Sequence, residues 1–291
     1  MPVATAPVRV CDAGGWTDTW FAGTGLVCNL AVRPGVRVEV TPGGSGADPA
    51  TPLVLAAIEE AGVDPDTVHV RVTSAVPPGS SLGTSAAVAV AILAALGVPK
   101  RELVGRALRV ETERLGLQSG VQDQAAAAYG GASWLEIEYP SAHRGSLAVP
   151  THTWRELDRR LVTVFLGEHR SSAVHEQVIA DVSTDPTALD DLRRCAHDAA
   201  LALAHGDLVA YGEALTRNTE AQRALHPALL CDAADEVIDA ARAAGALGWK
   251  VNGAGGEGGT VSIVVGDEPL HLEVVDVLDL HLSRQGVRVT A

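Results

Sequence analysis

The chain has 291 residues, of which 47% are hydrophobic, and its formal net charge is -14. This composition is that of a folded globular protein rather than a disordered chain, and the surplus of negative charge disfavours nucleic acid and anionic membranes as partners. We therefore expect a small-molecule partner, no nucleic acid, no membrane, and either a monomer or a homodimer.

Strands and glycine loops are predicted to alternate in the first half of the chain. Residues 36–40 alternate valine with Arg37 and Glu39, as in a half-exposed strand, whereas 86–96 is apolar enough to be a buried helix. The same reasoning predicts strands at 8–11, 26–32, 68–72 and 134–137, helices at 53–61 and from 99 onward, and a short alanine-rich helix that ends at Gly130. Residues 41–52 are rich in glycine and proline and predict a surface loop.

A change of composition at 140–150 is our candidate boundary between two lobes, 1–150 and 151–291. Beyond it the pattern predicts a buried strand at 161–166, a polar loop at 167–172, three helical stretches between 189 and 244, strands at 249–252 and 260–265, a helix at 270–283 and a strand at 287–290. The second lobe is thus predicted to be α+β.

The cysteines and lysines narrow the chemistry further. Four dispersed cysteines contain no C-x-x-C pair, so we expect buried thiols in a reducing compartment and neither a zinc site nor a disulfide scaffold. Residues 1–7 lack the basic and apolar segments of an export signal, which predicts a cytoplasmic protein. Since Lys100 and Lys250 are the only lysines, arginine is expected to supply most of the positive charge in any site.

Residues 77–85 read Pro-Pro-Gly-Ser-Ser-Leu-Gly-Thr-Ser and run directly into the predicted helix 86–96. Two glycines among small hydroxyl residues let the backbone curl with its N–H groups inward, at a helix N-terminus that favours an anion such as phosphate. The stretch is not a Walker A loop, because no lysine follows the second glycine, and it does not match G-x-G-x-x-G. The alternative is an ordinary turn capped by Thr84 or Ser85.

Two more stretches of the sequence have the character of site loops. One is a loop at 9–18, and the other is a glycine-rich turn at 253–259 beside a strand. The three in this order resemble the sequence motifs of the GHMP kinases, named for galactokinase, homoserine kinase, mevalonate kinase and phosphomevalonate kinase. Within that family, residues 13–19, 120–124 and 129–131 look most like those of the kinases for fucose and heptose phosphates. The resemblance covers nearly the whole chain.

The resemblance implies an α+β fold of two lobes, the first like ribosomal protein S5 domain 2 and the second ferredoxin-like, with ATP and Mg²⁺ between them. In this family match, Asp123 accepts or orients the proton of the attacking hydroxyl, Arg9 lies near that nucleophile, and Ser85 and Glu111 are the Mg²⁺ ligands. The phosphates of ATP are assigned to Pro78, Gly79, Ser80, Ser81, Gly83, Thr84 and Ser85. The substrate, a sugar or sugar phosphate, is assigned to Gly15, Trp16, Thr17, Asp18, Arg170, Gly255 and Gly256.

Simpler roles remain open for several of these residues. Asp123 could be a helix N-cap, and Glu111 a solvated helix carboxylate, as we expect Glu113 to be. Arg9 could pair with Asp12 or Asp18 at a strand end. Tryptophans such as Trp16 and Trp20 are more often packing residues than ligand platforms, although beside a sugar-binding loop they could stack on a pyranose or an adenine ring.

Three residues depart from the family pattern: Ser81 in place of a glycine and Thr84 in place of the usual serine in the phosphate loop, and Glu257 in place of a glycine in the third motif. The leading hypothesis is an ATP-dependent sugar kinase acting on an anomeric or nearby hydroxyl. The departures favour a second one, a catalytically silent sensor of sugar and ATP, and a kinase of an amino alcohol or mevalonate-like acid is a third. An already phosphorylated sugar would need local cations, for which Arg144, His169, Arg170 and His175 are candidates.

Overall fold

The computed structural model describes residues 1–44, 46–145, 147–169, 172–182, 186–268, 270 and 276–290, without the side chains of 172–175, 177, 186 and 188. The strands are β1 Val3–Ala13, β2 Thr24–Pro42, β3 Ala47–Asp48, β4 Val68–Ser74, β5 Ala132–Glu138, β6 Ser141–Gly145, β7 Leu161–Gly167, β8 Gly248–Val251, β9 Gly259–Val264, β10 Asp276–Leu278, β11 His281–Leu282 and β12 Arg288–Thr290. The helices are α1 Pro52–Glu60, α2 Thr84–Ala95, α3 Leu103–Arg109, α4 Gln122–Tyr129, α5 Thr151–Arg160, α6 Ser172–Val182, α7 Asp190–His205, α8 Leu208–Leu225 and α9 Asp232–Ala243.

The first lobe is built on a sheet in which β1 and β2 are central. The order β12-β1-β2-β4-β3 is extended by β5 and β11, which pair with β2, and by β6 on β5. Helix α2 packs on β1 and β2 and is buried along most of its length, which its Ala, Val and Leu content explains, since a helix that is apolar on all sides must be covered. The core of this lobe lies between that sheet and helices α1 to α3.

The second lobe is a four-stranded sheet, β10-β7-β9-β8, with helices α8 and α9 against β8. Helices α7, α8 and α9 confirm the three helical stretches predicted between 189 and 244. Helix α7 also packs on β1 and β2, so the two lobes share a contact across the first sheet. The α+β architecture expected from the sequence is confirmed.

The structure differs from the prediction at three places in the second half of the chain: one predicted helix is wrong, and two helices were not predicted. The predicted helix 270–283 is replaced, in the part of it that is described, by the short strands β10 and β11, which pair with β7 and β2. Helices α5 and α6 are absent from the prediction. Helix α5 is mostly polar, and its Glu156 binds Arg159 and Arg160 one turn on, so ion pairs rather than a long apolar stripe mark it as a helix.

The division of the chain at residue 150 stays a prediction. The last strands of the chain, however, return to the sheet of the first lobe. Strands β11 and β12 pair with β2 and β1 of the first sheet. All four cysteines are free thiols. Among the helices of the described residues, none combines the length and the apolar character required to cross a bilayer.

Candidate active site

A cavity of about 160 Å³ opens where the first lobe meets the Gly253 turn of the second. Its walls come from four parts of the chain that lie far apart in sequence. The lining residues are Arg9, Asp12, Trp16, Asp18, Thr19, Trp20, Phe21, Gln118, Ser119, Gly120, Gln122, Asp123, Ile179, Gly253 and Ala254. Arg9, Trp16, Asp18 and Asp123 are therefore together, as the sequence predicted.

The loop 77–83 leads to the N-terminus of α2 through backbone conformations that favour glycine. Gly79 and Gly83 have φ values of 64° and 74°, and Gly83 is the N-cap of α2 without any side-chain cap bond. Capping of this helix by Thr84 or Ser85 is therefore wrong. Within the part of the chain that the structure describes, the buried hydroxyl oxygens of Ser80, Ser81 and Thr84 have no hydrogen-bond partner. Free N–H groups and unpartnered hydroxyls at a helix N-terminus suit the phosphates of ATP.

Asp123 lies where this loop meets the cavity. Its carboxylate accepts a hydrogen bond from Arg9 Nε at 2.7 Å, and its side chain keeps 24% of its surface exposed while that of Arg9 keeps 5%. A Cβ added to Gly83 would lie 2.8 Å from Asp123 Cγ, so only glycine lets the loop come this close. Asp123 is the second residue of α4 and makes no capping bond, which excludes the N-cap alternative.

Arg9 binds three groups around the same point. Its guanidinium contacts Asp123 and donates to the Ser81 carbonyl, and its Nη2 lies 3.9 Å from Asp12. Although burial opposes its charge, the carboxylates of Asp12 and Asp123 raise the pKa of Arg9. The simple pairing with Asp12 or Asp18 is thus replaced by a main contact with Asp123, and Arg9 is a fixed cation.

Glu111 and Ser85 form a separate oxygen pair at the start of α2. Glu111 is buried and accepts from Ser85 Oγ at 2.5 Å, from Ser119 Oγ at 2.8 Å and from Gln124 Nε2. Burial raises its pKa, against these hydrogen bonds. The solvated role is therefore wrong for Glu111, whereas Glu113 is exposed as expected.

The described residues contain no group of three His, Cys, Asp or Glu side chains able to hold a metal alone. One carboxylate and one hydroxyl in contact nevertheless fit Mg²⁺, which prefers few protein oxygens and completes its shell with phosphates and water. Glu111 and Ser85 would hold the ion, which would supply positive charge over the phosphates.

Asp18 closes the opposite wall of the cavity. It is buried, accepts from the Gln122 backbone N–H at 3.1 Å, and lies so close to Gly120 that a side chain there would collide with it. Burial, with the Asp123 charge adding to it, raises the pKa of Asp18 to about 6. Near neutral pH, it is a carboxylate that can accept hydrogen bonds from the hydroxyl groups of a polyol.

Two predicted substrate residues of the same loop have structural positions instead. Thr17 is fully buried, and its hydroxyl bonds the Gly14 carbonyl at 2.7 Å and the Leu26 backbone, which ties the loop to β2. Gly15 lies beneath Asp12, where an added Cβ would be 2.9 Å from a carboxyl oxygen. Neither lines the cavity.

Trp16 and Trp20 do line the cavity. The ring centroids of both lie within 6.3 Å of that of Phe21, so the two tryptophans pack against Phe21 and also form an aromatic wall.

The third motif contributes other residues than expected. Gly253 and Ala254 line the cavity, whereas Gly255 packs against the Leu229 carbonyl and Gly256 against the His169 ring. Gly255 and Gly256 therefore do not line this cavity, and their contacts with a substrate stay a prediction. Glu257 is exposed.

The serine that replaces a glycine in the phosphate loop is accommodated by glycines of the third motif. Ser81 has a φ of 59°, and Cβ atoms added to Gly253 and Gly259 would each lie 3.1 Å from Ser81 Cβ. Its side chain therefore fills space that these two glycines leave open, on the side of the second lobe.

The four residues that were candidates to bind the phosphate of a sugar phosphate lie in different places. Arg170 lies outside the described residues, as does the side chain of His175. Arg144 donates to the Gly130 carbonyl at 3.0 Å, and the His169 backbone N–H donates to the Gly79 carbonyl at 2.9 Å. Neither Arg144 nor His169 lines the cavity.

Sequence reasoning missed the residues that dock the 9–18 loop onto the second lobe. Asn252 Oδ1 accepts from the Cys11 N–H at 2.8 Å, and Asn218 Oδ1 accepts from the Gly14 N–H at 2.7 Å. Lys250, which the sequence left without a role, lies 3.5 Å from Asp12 in the core. Its position three residues before Gly253 was the only available signal.

Comparison with known proteins agrees with this geometry. The model of the GHMP kinases N terminal domain matches residues 50–131 and that of the GHMP kinases C terminal domain matches 199–276, together more than half of the chain. The bifunctional fucokinase/GDP-fucose pyrophosphorylase of Arabidopsis thaliana is 25% identical over 87% of this chain, which spans 29% of that protein's length. A galactokinase of Thermotoga petrophila is 27% identical over 72% of this chain and 68% of its own.

Solved structures show the same fold over the full length. A D-glycero-D-manno-heptose 1-phosphate kinase from Bacteroides thetaiotaomicron superposes with a TM-score of 0.77 at 23% identity, covering 100% of this chain and 99% of its own. The mevalonate kinase of Methanococcus jannaschii gives a TM-score of 0.75 at 19% identity, covering 97% and 98%. The chain therefore belongs to the GHMP kinases and has their two-domain α+β fold.

Proposed function

We propose that this GHMP kinase transfers the terminal phosphoryl group of ATP to a hydroxyl of a neutral sugar, with the anomeric hydroxyl as first choice. The observation that carries the proposal is the meeting of Asp123, Arg9 and the phosphate loop at the inner wall of one small cavity. Phosphoryl transfer needs in-line positioning and positive potential more than covalent chemistry, and these residues supply both.

Each residue has a role that its surroundings support. The partly exposed carboxylate of Asp123 accepts or orients the proton of the attacking hydroxyl, and Arg9 holds that carboxylate in place. The loop hydroxyls and N–H groups hold the phosphates of ATP, and Glu111 with Ser85 holds Mg²⁺. Asp18 binds hydroxyls on the far side of the sugar.

The charge of the cavity favours an acceptor without a phosphate group. Among the described lining residues the carboxylates are Asp12, Asp18 and Asp123, and the one cation, Arg9, is already bound to Asp123 and the Ser81 carbonyl. A phosphate on the acceptor would meet net negative charge here. The aromatic wall of Trp16, Trp20 and Phe21 suits the apolar face of a sugar ring.

The relatives support a sugar acceptor. They include a fucokinase, a galactokinase and an L-fucokinase/L-fucose-1-P guanylyltransferase of Bacteroides fragilis, whose name contains a sugar 1-phosphate. A D-glycero-alpha-D-manno-heptose 7-phosphate kinase of Campylobacter jejuni is also similar, so the choice of a neutral acceptor rests on the charge of the cavity. Two observations favour the kinase over the sensor: Glu257 is exposed, and Ser81 is accommodated by two glycines.

The decisive test is ADP release with Mg-ATP across a panel of neutral sugars, the matching sugar phosphates, and mevalonate and homoserine as non-sugar alcohols. We expect turnover with a neutral sugar. Saturable sugar binding without sugar-dependent ADP release would refute the kinase and favour a sensor. Turnover confined to sugar phosphates, with a KM that rises more than about tenfold in Arg170→Gln, would refute the neutral acceptor, since a bidentate phosphate contact contributes at least that much.

A further inference from the structure

Lys250 is placed where a lysine is costly. Its side chain on β8 is 1% exposed, and its Nζ donates to Gln222 Oε1 at 2.9 Å and to the Val251 carbonyl. The nearest charge is Asp12 Oδ1, 3.5 Å away on β1 of the first lobe and also fully buried. The pair therefore joins the two lobes inside the protein.

The ion pair is part of a closed ring around the Gly253 turn. Gln222 Nε2 donates to the Gly253 carbonyl at 3.2 Å, and the Gly253 N–H donates to Asp12 Oδ2 at 3.0 Å. Asp12 returns to Lys250, which completes the ring through Gln222. Both peptide groups that flank Gly253 are thus fixed by side chains, one from each lobe.

This ring of contacts lies directly against Arg9 and the Ser81 carbonyl. A Cβ added to Gly253 would lie 3.2 Å from Arg9 Nη2 and 2.8 Å from the Ser81 carbonyl oxygen. Arg9 itself lies between Asp12 at 3.9 Å and Asp123 at 2.7 Å. A shift of Asp12 or of the turn would therefore move Arg9, and with it the orientation of Asp123.

Stability alone does not account for this arrangement. A buried ion pair seldom stabilises a fold more than packed apolar side chains of the same volume, because both charges lose their hydration. Burial lowers the pKa of Lys250, and Asp12 opposes that effect. What apolar residues could not provide is the directed hold on Asp12 and on the Gly253 turn.

We propose that Lys250 is a positioning residue for phosphoryl transfer, which acts through Asp12 and Gln222 to fix Arg9 and the Gly253 turn against Asp123. The proposal rests on the kinase function proposed above. Lys250 does not itself line the cavity, and of its polar partners Gln222, Val251 and Asp12 only Asp12 does, so its effect is on alignment. Misalignment of about 1 Å can cost on the order of 10²-fold in rate.

The test compares Lys250→Met with the double variant Lys250→Met/Asp12→Asn, and with Lys100→Met as the matched substitution at the exposed lysine. Lys250→Met leaves Asp12 unpaired, so we expect lower thermal stability together with a kcat reduced about 10²-fold and KM values for ATP and sugar within threefold. The double variant removes both charges and should regain most of the stability while kcat stays low. Lys100→Met should change neither.

Two results would overturn the proposal: recovery of kcat together with stability in the double variant, or a kcat within threefold of the parent in Lys250→Met. A KM for sugar that rises while kcat holds would also overturn it, because Asp12 would then act as a sugar contact. If Lys250→Met does not fold, the double variant carries the test. Should the parent phosphorylate no acceptor, a crystal structure of the double variant still decides, since an unchanged contact between Arg9 Nε and Asp123 refutes positioning.

Discussion

The two sides of the site differ in how their polar groups are used. On the phosphate side, the hydroxyls of Ser80, Ser81 and Thr84 have no hydrogen-bond partner among the residues that the structure describes. On the acceptor side, Arg9 and Asp18 are held by Asp123 and Gln122 within the first lobe. Asp12 is joined across the lobes to Gly253 and Lys250. The first side is thus left open for a ligand to satisfy, whereas the second is organised before any ligand arrives.

This contrast has a physical reason. A phosphate brings its own strong acceptor oxygens, so a loop of N–H and hydroxyl groups gains most when those groups are not already used. A neutral sugar offers weaker contacts, so the groups that bind and activate it must be preorganised. The two sides meet at Gly83 and Asp123.

The largest effect is expected where the two sides meet. Asp123→Asn keeps the size of the side chain but removes the proton acceptor, so kcat should fall about 10²- to 10⁴-fold with an unchanged circular dichroism spectrum. The matched control is Asp66→Asn, at an exposed carboxylate far along the chain. A rate within a few-fold of the parent would remove Asp123 from the mechanism.

On the acceptor side, Asp18 should make folding stability depend on pH. The pKa of Asp18 is about 6 in the folded protein and 3.8 for an unperturbed carboxyl group. Between these two pH values, the folded state therefore binds more protons than the unfolded state. The contribution of Asp18 to the free energy of unfolding should therefore fall by about 3 kcal/mol as pH rises from about 4 to about 6, and be level above that. Urea titrations of the parent and of Asp18→Asn measure the difference, and identical pH profiles for the two would contradict the buried carboxylate.

On the phosphate side, Glu111→Gln should weaken the binding of Mg²⁺. Loss of a partner that merely supports a ligand costs about 10- to 100-fold in metal affinity, so loss of the ligand itself should cost at least as much. The Mg²⁺ concentration for half-maximal activity measures it. Glu113→Gln, two residues on and exposed, is the control and should leave the Mg²⁺ dependence unchanged.

A matched pair of glycine substitutions separates backbone strain from site geometry. Gly83→Ala and Gly97→Ala both place a side chain at positive φ, 74° and 87°, and each should cost about 1–2 kcal/mol of stability. Only Gly83 faces Asp123, whereas Gly97 faces open space. Gly83→Ala alone should therefore also lower kcat, by about tenfold, and equal rates in the two variants would refute the close approach.

The smallest effect is expected at Glu257, which the sequence comparison had marked as a departure. Because its side chain is exposed, Glu257→Gly should change kcat/KM for ATP by less than about twofold, the range of a screened surface charge. A gain of tenfold or more would mean that this carboxylate does repel the phosphates.

Local patterns were enough for much of the fold and for the individual motifs. The glycine loop before α2, the alternating strand within β2 and the three helices between 189 and 244 follow from turn chemistry and periodicity. The strands at the end of the chain did not, because the described part of 270–283 forms β10 and β11 only by pairing with β7 and β2. Local apolar content cannot distinguish such segments from a helix.

The sequence by itself determined the family and predicted both the anion-binding character of 77–85 and the grouping of Arg9, Asp18 and Asp123, since each depends on residues close together or on motif order. Only the tertiary structure decided that Arg9 pairs with Asp123, that Gly253 rather than Gly255 faces the cavity, and that Lys250 reaches Asp12. These contacts join residues more than 100 positions apart, and their partners are chosen by how the two lobes pack rather than by any local preference of the chain.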